Sequence, residues 1–240
     1  MLSKKYVIVV LALFASLSAR AGEAEIRKSF AEKLKDAPPI EEVRPTPMPG
    51  VWEVRMGGDL HYTDDKGLFI LQGELIDLKT RKSLTEERLT KINAIDFNSL
   101  PLKDAIVWVK GNGKRRIAVF ADPNCGFCKK LERSLQDVKD VTVYTFVIAI
   151  LGGDSPEKAR AIWCNKDSTN VWRNWMLDGT PVPKAQGACD DSALVRNLAL
   201  ARKHRVTGTP AIAFEDGSRA PGAINAEQIE RKLAGPAPKS

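Results

Sequence analysis

The chain has 240 residues, of which 43% are hydrophobic and 28% are charged, and it contains 17 Gly and 14 Pro. This length and apolar content suit one large or two modest domains with a packed core. The composition excludes a collagen-like, a low-complexity and a wholly disordered chain. Four cysteines are too few for a small disulfide-rich scaffold, and two histidines leave little material for a His-rich metal site. Any chemistry is therefore expected to depend on sulfur.

Residues 1–21 are typical of an export signal. Two lysines precede a largely apolar run over 6–17, and the Ala-Arg-Ala motif at 19–21 predicts cleavage after Ala21. An uncleaved anchor is the less favoured alternative, because a membrane-spanning helix needs about 20 apolar residues. No later stretch is long and apolar enough to span a membrane, so we expect an exported, soluble protein.

The charge balance gives little support to nucleic-acid binding. The segment 1–21 carries three basic and no acidic residues, so the rest of the chain has 34 basic and 30 acidic residues and a net charge of +4. The densest basic run, at 114–116, abuts an apolar strand and has no aromatic residues among its charges. Nucleic-acid binding requires an extended basic surface, so no such partner is expected. Export also implies an oxidising compartment, in which disulfides persist.

Residues 22–80 are predicted to form a small α+β domain. Apolar residues recur every four positions over 24–34, which predicts a helix, and the proline-rich stretches at 38–39 and 45–50 are predicted to lie outside regular elements. Later patterns predict a strand over 51–55, a strand over 60–63, a hairpin turn at 64–67 and further strands over 68–78. A domain of about 60 residues is marginal alone, so we expect it to bury a face in a homodimer.

Residues 81–103 are predicted to be a helical linker. The sequence from Ser83 to Glu86 fits a capping box, which opens a helix predicted to end near Asp96. Polar residues cover most of its circumference. We therefore expect a solvent-exposed connector between two domains.

Residues 104–240 are predicted to form an α/β domain. Strands are predicted over 105–109, 117–121 and 141–151, and a helix is predicted to begin at Cys125. Two or three helices are predicted over about 154–205. A strand ending at Phe214, a short strand, and a helix capped by Asn225 and ending at Leu233 complete the domain. The order β-α-β, a helical block and β-β-α is typical of an α/β fold.

The motif Cys125-Gly126-Phe127-Cys128 follows a buried strand and opens a helix. At a helix N-terminus, Cys125 meets free backbone N–H donors and the positive end of the helix dipole, which both stabilise a thiolate. Cys128 lies one turn further along and is shielded, so we predict that Cys125 attacks and Cys128 resolves. An inert disulfide, an unreactive thiol pair and a zinc site are the alternatives, although zinc would need two more soft ligands.

The other two cysteines, Cys164 and Cys189, lie 25 positions apart in the predicted helical block. They are either a stabilising disulfide or a second redox pair, and their pairing follows by elimination if Cys125 and Cys128 pair locally. The stabilising disulfide is favoured, because no turn-to-helix motif surrounds either residue and closing such a loop contributes about 3 kcal/mol.

Thr209-Pro210 precedes an apolar strand. Proline has no N–H to give to a sheet, so this pair suits an edge or a kinked entry to the strand. The sequence leaves open whether the peptide bond is cis.

Three features together resemble the thioredoxin superfamily: the strand over 117–121, the C-x-x-C motif and Thr209-Pro210. Over about 25–235, the chain more closely resembles the dimeric periplasmic disulfide isomerases of the DsbC/DsbG type. Four segments carry this second resemblance, at 62–65, 70–73, 161–164 and 206–210. One departure is Phe127, where DsbC-type sites often carry Tyr.

The resemblance implies an N-terminal dimerisation domain, a helical linker and a thioredoxin-fold catalytic domain with a helical insertion. It also implies that Pro210 is cis beside the Cys125–Cys128 pair and that Thr209 offers backbone groups to the substrate. It further implies that Cys164 and Cys189 form a structural disulfide, as in DsbC.

The implied function is that of a periplasmic disulfide isomerase for misoxidised exported proteins, with chaperone-like holding of unfolded chains. No metal or other cofactor is implied, and the implied electron donor is the membrane reductase DsbD. A dithiol oxidase of the same fold and a redox-independent chaperone are the alternatives. The oxidase would differ in reduction potential rather than in motif.

Overall fold

The computed structural model describes residues 22–185 and 187–235. The predicted export signal and its cleavage site lie outside these residues. The chain forms two compact units, and the boundary between them falls between Ile92 and Asn93. Within the described part of the chain, no helix combines the length and the apolarity that crossing a bilayer requires.

The first unit contains a helix, α1 (22–33), which confirms the helix predicted there. An antiparallel sheet of order β1-β2-β3 follows, with strands Ile40–Pro45, Val51–Met56 and Asp59–Asp64. One small apolar core joins the helix to the sheet and contains Ile26, Phe30, Val43, Val54 and Met56. The spacing that predicted α1 therefore marks its buried face.

β1 was not predicted: it lies between the two proline-rich stretches and includes Pro45, which was predicted to lie outside regular elements. It is an edge strand, and its single proline, Pro45, is its last residue. An edge strand tolerates proline, because only one of its sides carries ladder hydrogen bonds. The proline-rich composition was therefore a poor guide to this segment.

The strands predicted over 68–78 are mostly absent from the described structure. The Asp64 carboxylate accepts three backbone N–H groups of the residues after it, and these bonds shape the predicted turn. Beyond the turn, the chain forms a single β-bridge with β3, between Tyr62 and Leu71, and the Thr63 hydroxyl donates to the Phe69 carbonyl at 2.6 Å. Two short strands, β4 (Ile76–Asp77) and β5 (Lys82–Ser83), then pair with each other. The apolar side chains of this segment consequently remain exposed.

The helix of the predicted linker, α2 (Leu84–Ile92), begins where the sequence indicated, since Ser83 Oγ accepts the Glu86 N–H at 3.0 Å. It ends four residues before the predicted end at Asp96. The apolar residues beyond it, Ile95, Phe97 and Leu100, are buried in the second unit. Burial of these side chains, which periodicity alone cannot reveal, decides where the helix stops.

The second unit is built on a mixed sheet of order β10-β9-β7-β8-β6. Its strands in chain order are β6 (Ile106–Lys110), β7 (Arg115–Ala121), β8 (Val141–Val147), β9 (Ala211–Phe214) and β10 (Arg219–Pro221). β7 and β8 are parallel, and the other neighbouring pairs are antiparallel. β7 is buried on both faces, as its continuous apolar run predicted, with Ile117 and Phe120 in different cores.

The helices of this unit are α3 (Gly126–Leu135), α4 (Ser155–Trp163), α5 (Ser168–Asp178), α6 (Ser192–Lys203) and α7 (Ala226–Leu233). The order of strands and helices confirms the predicted α/β layout, with three helices in the block over 154–205. β8 stops at Val147, four residues before its predicted end. α7 has the predicted Asn225 cap, completed by reciprocal bonds between Asn225 and Gln228.

We expect Ile229→Ala to destabilise the second unit by about 2–5 kcal/mol, because Ile229 is fully buried where α7 packs on the main core. Val195→Ala on α6 is the matched control, since Val195 is exposed. Chemical unfolding of both variants measures the difference. Equal midpoints for the two variants would show that α7 does not contribute to the core.

Candidate functional site

Cys125 occupies the N-cap position of α3, between the end of β7 and the first helical residue, Gly126. Its Sγ accepts the backbone N–H of Cys128 at 3.3 Å, and its thiol donates to the Thr209 carbonyl at 3.2 Å. Cys125 and Cys128 are both free thiols. The N-terminus of a helix offers unpaired N–H donors and a positive dipole end, so a negative sulfur is favoured at this position.

Asp122 shapes the turn that leads from β7 to Cys125. Its backbone carbonyl accepts the Cys125 N–H at 3.1 Å. Its carboxylate is fully buried and accepts four hydrogen bonds, from the N–H groups of Asn124, Ile150 and Leu151 and from the Ser155 hydroxyl. The bonds from Ile150 and Leu151 also explain why β8 ends before residue 151, because their N–H groups bind the carboxylate and not a neighbouring strand.

Sequence reasoning did not identify Asp122 as a site residue. The signal was nevertheless present, because an acidic residue directly follows a buried strand and lies three positions before Cys125. A buried carboxylate is stable only when hydrogen bonds or opposite charges compensate its lost hydration. Such a residue therefore indicates an organised turn.

The Thr209-Pro210 peptide bond is cis and lies immediately before β9. β9 pairs antiparallel with β7, with Ala211 opposite Phe120, so the start of β9 lies at the end of β7. Sheet pairing thereby brings Thr209 next to Cys125 although 84 positions separate them. Pro210 is buried, and the Thr209 hydroxyl is buried without a hydrogen-bond partner among the described residues.

The two thiols differ in their surroundings. The Cys128 side chain is 1% exposed, and burial raises the pKa of its thiol, which the neighbouring Cys125 raises further. Cys125 is 5% exposed and has the helix N-terminal position. Cys128 is therefore held as a neutral thiol beneath Cys125.

The two residues between the cysteines, Gly126 and Phe127, are exposed, and the Phe127 side chain is 66% accessible. Ile150 and Leu151, whose N–H groups bind Asp122, also expose apolar side chains. The segments tied to the Asp122 carboxylate thus present apolar groups to solvent.

Cys164 and Cys189 are joined by a disulfide. Cys164 is the C-cap of α4, where the negative end of the helix dipole opposes a thiolate. Its setting is therefore the opposite of that of Cys125. In residues 22–185 and 187–235, no group of three or more His, Cys, Asp or Glu side chains is arranged as metal ligands.

Comparison with known proteins identifies both parts of the chain. The thioredoxin-like domain family matches residues 102–235, and the N-terminal domain family of disulfide bond isomerase proteins matches residues 17–86. A probable thiol:disulfide interchange protein DsbC of Bordetella parapertussis is 44% identical over 208 residues, which cover 87% of this chain and 73% of that protein.

Two further relatives extend this comparison. The thiol:disulfide interchange protein DsbC of Escherichia coli K12 is 27% identical over 229 residues, which cover 92% of this chain and 91% of that protein. The crystal structure of a disulfide interchange protein from Neisseria gonorrhoeae is 36% identical, with a TM-score of 0.52 over 56% of this chain and 96% of that chain.

We expect a short pulse of iodoacetamide at neutral pH to label Cys125 in the reduced protein before Cys128, because burial raises the pKa of the Cys128 thiol. Peptide mass spectrometry after the pulse measures the two labels separately. Denatured protein is the control, in which both thiols should react at similar rates. Preferential labelling of Cys128 in the folded protein would contradict this assignment.

Proposed function

The chain belongs to the DsbC family of thiol:disulfide interchange proteins, and on this premise we propose that Cys125 and Cys128 are its redox-active pair. The family and the thioredoxin fold inferred from the sequence are thereby confirmed. The observation that supports the residue assignment most directly is the hydrogen bond from the Cys128 N–H to Cys125 Sγ at the start of α3. Among the four cysteines, Cys125 alone has an N-cap position on a described helix.

In the proposed reaction, the Cys125 thiolate attacks one sulfur of a client disulfide. A bond forms between Cys125 Sγ and that sulfur, and the other client sulfur leaves as a thiolate. The negative charge thus moves from the enzyme to the client. The backbone N–H donor and the helix dipole stabilise the charge before the attack, and the leaving thiolate of the client carries it afterwards.

The mixed disulfide can resolve in two ways. A second client thiolate can attack the client sulfur bound to Cys125, which moves the disulfide within the client and regenerates the Cys125 thiolate without net oxidation. Alternatively, Cys128 loses its proton and attacks Cys125 Sγ, which releases the client sulfur as a thiolate and leaves the enzyme oxidised. Burial raises the pKa of Cys128, so the second route requires a deprotonation that the site opposes.

Thr209, Pro210 and Phe127 are proposed to contact the client. The Thr209 carbonyl lies 3.2 Å from Cys125 Sγ, so an extended client segment bound at this backbone would bring its disulfide to the nucleophile. The exposed Phe127 ring adds an apolar contact. Cys164 and Cys189 are proposed to have a stabilising role only, because they are joined to each other and neither is the N-cap of a described helix.

The proposed location is the periplasm, on the basis of the export-signal pattern in residues 1–21. The proposed clients are misoxidised exported proteins. Isomerisation requires a reduced Cys125–Cys128 pair in an oxidising compartment, so an external reductant is needed. The membrane reductase DsbD is the proposed donor, as the family resemblance implies.

We expect Cys125→Ala to abolish the refolding of a scrambled multi-disulfide client, because no other described sulfur can replace the nucleophile. Cys128→Ala should instead retain slow isomerisation and accumulate a mixed disulfide through Cys125. Recovery of client activity and non-reducing gel electrophoresis measure the two effects. Undiminished refolding by Cys125→Ala would remove Cys125 from the nucleophile role.

The first unit is proposed to form a homodimer. Its core is small, and residues 68–71 expose four consecutive apolar side chains, of which Phe69 is 73% accessible. A continuous apolar strip of this kind is typical of a protein interface. A second copy of the same unit would cover it and would place two active sites in one assembly.

We expect Phe69→Glu to convert the dimer into a monomer, because an unpaired carboxylate would be buried in the apolar interface. Val195→Glu, at an equally exposed apolar position on α6, should leave the dimer intact. Light scattering after size-exclusion chromatography gives the mass of each variant. A dimeric Phe69→Glu variant at micromolar concentration would exclude this strip as the interface.

A further inference from the structure

The three residues before Cys125 are bound to α4 and α5. The Asp122 carboxylate accepts the Ser155 hydroxyl, and the Pro123 carbonyl accepts the Trp175 indole N–H at 2.6 Å. The Asn124 side chain donates to Asp154 at 2.7 Å and accepts from Lys158 at 2.6 Å. Ser155 and Lys158 belong to α4, Asp154 is its N-cap, and Trp175 belongs to α5. The conformation of the loop over 122–124 therefore depends on the helical block.

Trp175 is the point where this loop, α3 and α4 meet. The Lys129 ammonium, on α3 directly after Cys128, lies 3.8 Å from the centroid of the Trp175 ring. The Lys158 ammonium lies 4.2 Å from the same centroid. Cation–π contacts of this kind are attractive, and they strengthen as the pair is shielded from water. The indole is thus fixed through its N–H and through its aromatic ring.

Lys129 and Lys130 differ although they are adjacent in sequence. Lys129 is partly buried against Trp175, and among the described residues no carboxylate lies within ion-pair distance of its ammonium. Burial and the nearby Lys158 lower the pKa of Lys129. Lys130 is exposed. The two adjacent lysines therefore have different surroundings.

We propose that Trp175 is a positioning residue for the Cys125 nucleophile. Its hydrogen bond fixes the Pro123 carbonyl, two residues before Cys125, and so holds Cys125 in the N-cap conformation. In that conformation Cys125 Sγ accepts the Cys128 N–H. If the loop over 122–124 were more mobile, Cys125 Sγ would lack the Cys128 N–H bond for part of the time. The fraction of molecules with a stabilised Cys125 thiolate would then fall. The inference rests on the proposed role of Cys125 as the nucleophile.

A second tryptophan provides a matched control. Trp163 on α4 also donates its indole N–H to a backbone carbonyl, that of Asp190 at 3.1 Å. That bond ties parts of the helical block to each other and does not involve the loop before Cys125. Trp163→Phe and Trp175→Phe each remove one indole-to-carbonyl hydrogen bond and retain an aromatic ring. Only the second change should affect the nucleophile.

The test is single-turnover reduction of a small peptide disulfide by the reduced full-length protein, over a range of peptide concentrations. We expect Trp175→Phe to lower the maximal rate about three- to tenfold, the effect of one hydrogen bond, and to leave the half-saturating concentration unchanged. Trp163→Phe should remain within about twofold of the wild type. Equal rates for the two variants at similar Tm, or a change in half-saturating concentration alone, would overturn the proposal.

The lysine pair tests the same proposal if Trp175→Phe fails to fold. Lys129→Gln removes one cation from the ring and should slow the maximal rate about twofold or more, whereas Lys130→Gln should not. Identical rates for these two variants would overturn the proposal. The wild-type protein distinguishes failure of this inference from failure of the proposed function. If the wild type forms no covalent adduct with the peptide through Cys125, the assignment of Cys125 as the nucleophile fails. If the wild type is active and Trp175→Phe is equally active, only the positioning role of Trp175 is rejected.

Discussion

The site depends on one constraint: a buried strand must end and a helix must begin within a few residues, with a sulfur at the helix N-cap. Four donors at the start of a helix lack partners within the helix, and Cys125 Sγ accepts one of them. Asp122 makes the short turn possible, because its buried carboxylate satisfies four donors of the surrounding loops. The cis bond at Pro210 lies where β9 begins beside this turn.

The four cysteines illustrate how position determines chemistry. Cys125 and Cys164 both lie at helix ends, but one caps an N-terminus and the other a C-terminus. The dipole stabilises a thiolate in the first setting and opposes it in the second. Burial adds a further distinction by raising the pKa of Cys128, one turn along α3 from Cys125. One domain therefore holds cysteines in three different settings: an N-cap thiol, a buried thiol inside a helix and a disulfide.

The sequence was sufficient for features that local patterns determine. The buried strand β7, the helix opened by Cys125 and the Asn225 cap all lie where apolar runs and capping residues indicated. It was insufficient where contacts between residues far apart in the sequence determine the structure. β1, which ends at Pro45, is an edge strand that pairs with β2. α2 ends because the apolar residues after it are buried in the core of the second unit. The bond between Trp175 and Pro123 spans 52 positions, and no local pattern reveals it.

Equilibration of the native protein with glutathione redox buffers tests the central account most directly, with the state of each cysteine read by mass spectrometry after acid quenching. The account predicts that Cys125 and Cys128 convert together and reversibly between two thiols and one disulfide. The disulfide between Cys164 and Cys189 should stay formed over the same range. A Cys125–Cys128 pair that does not respond to the buffer, or four cysteines that titrate as one group, would contradict it.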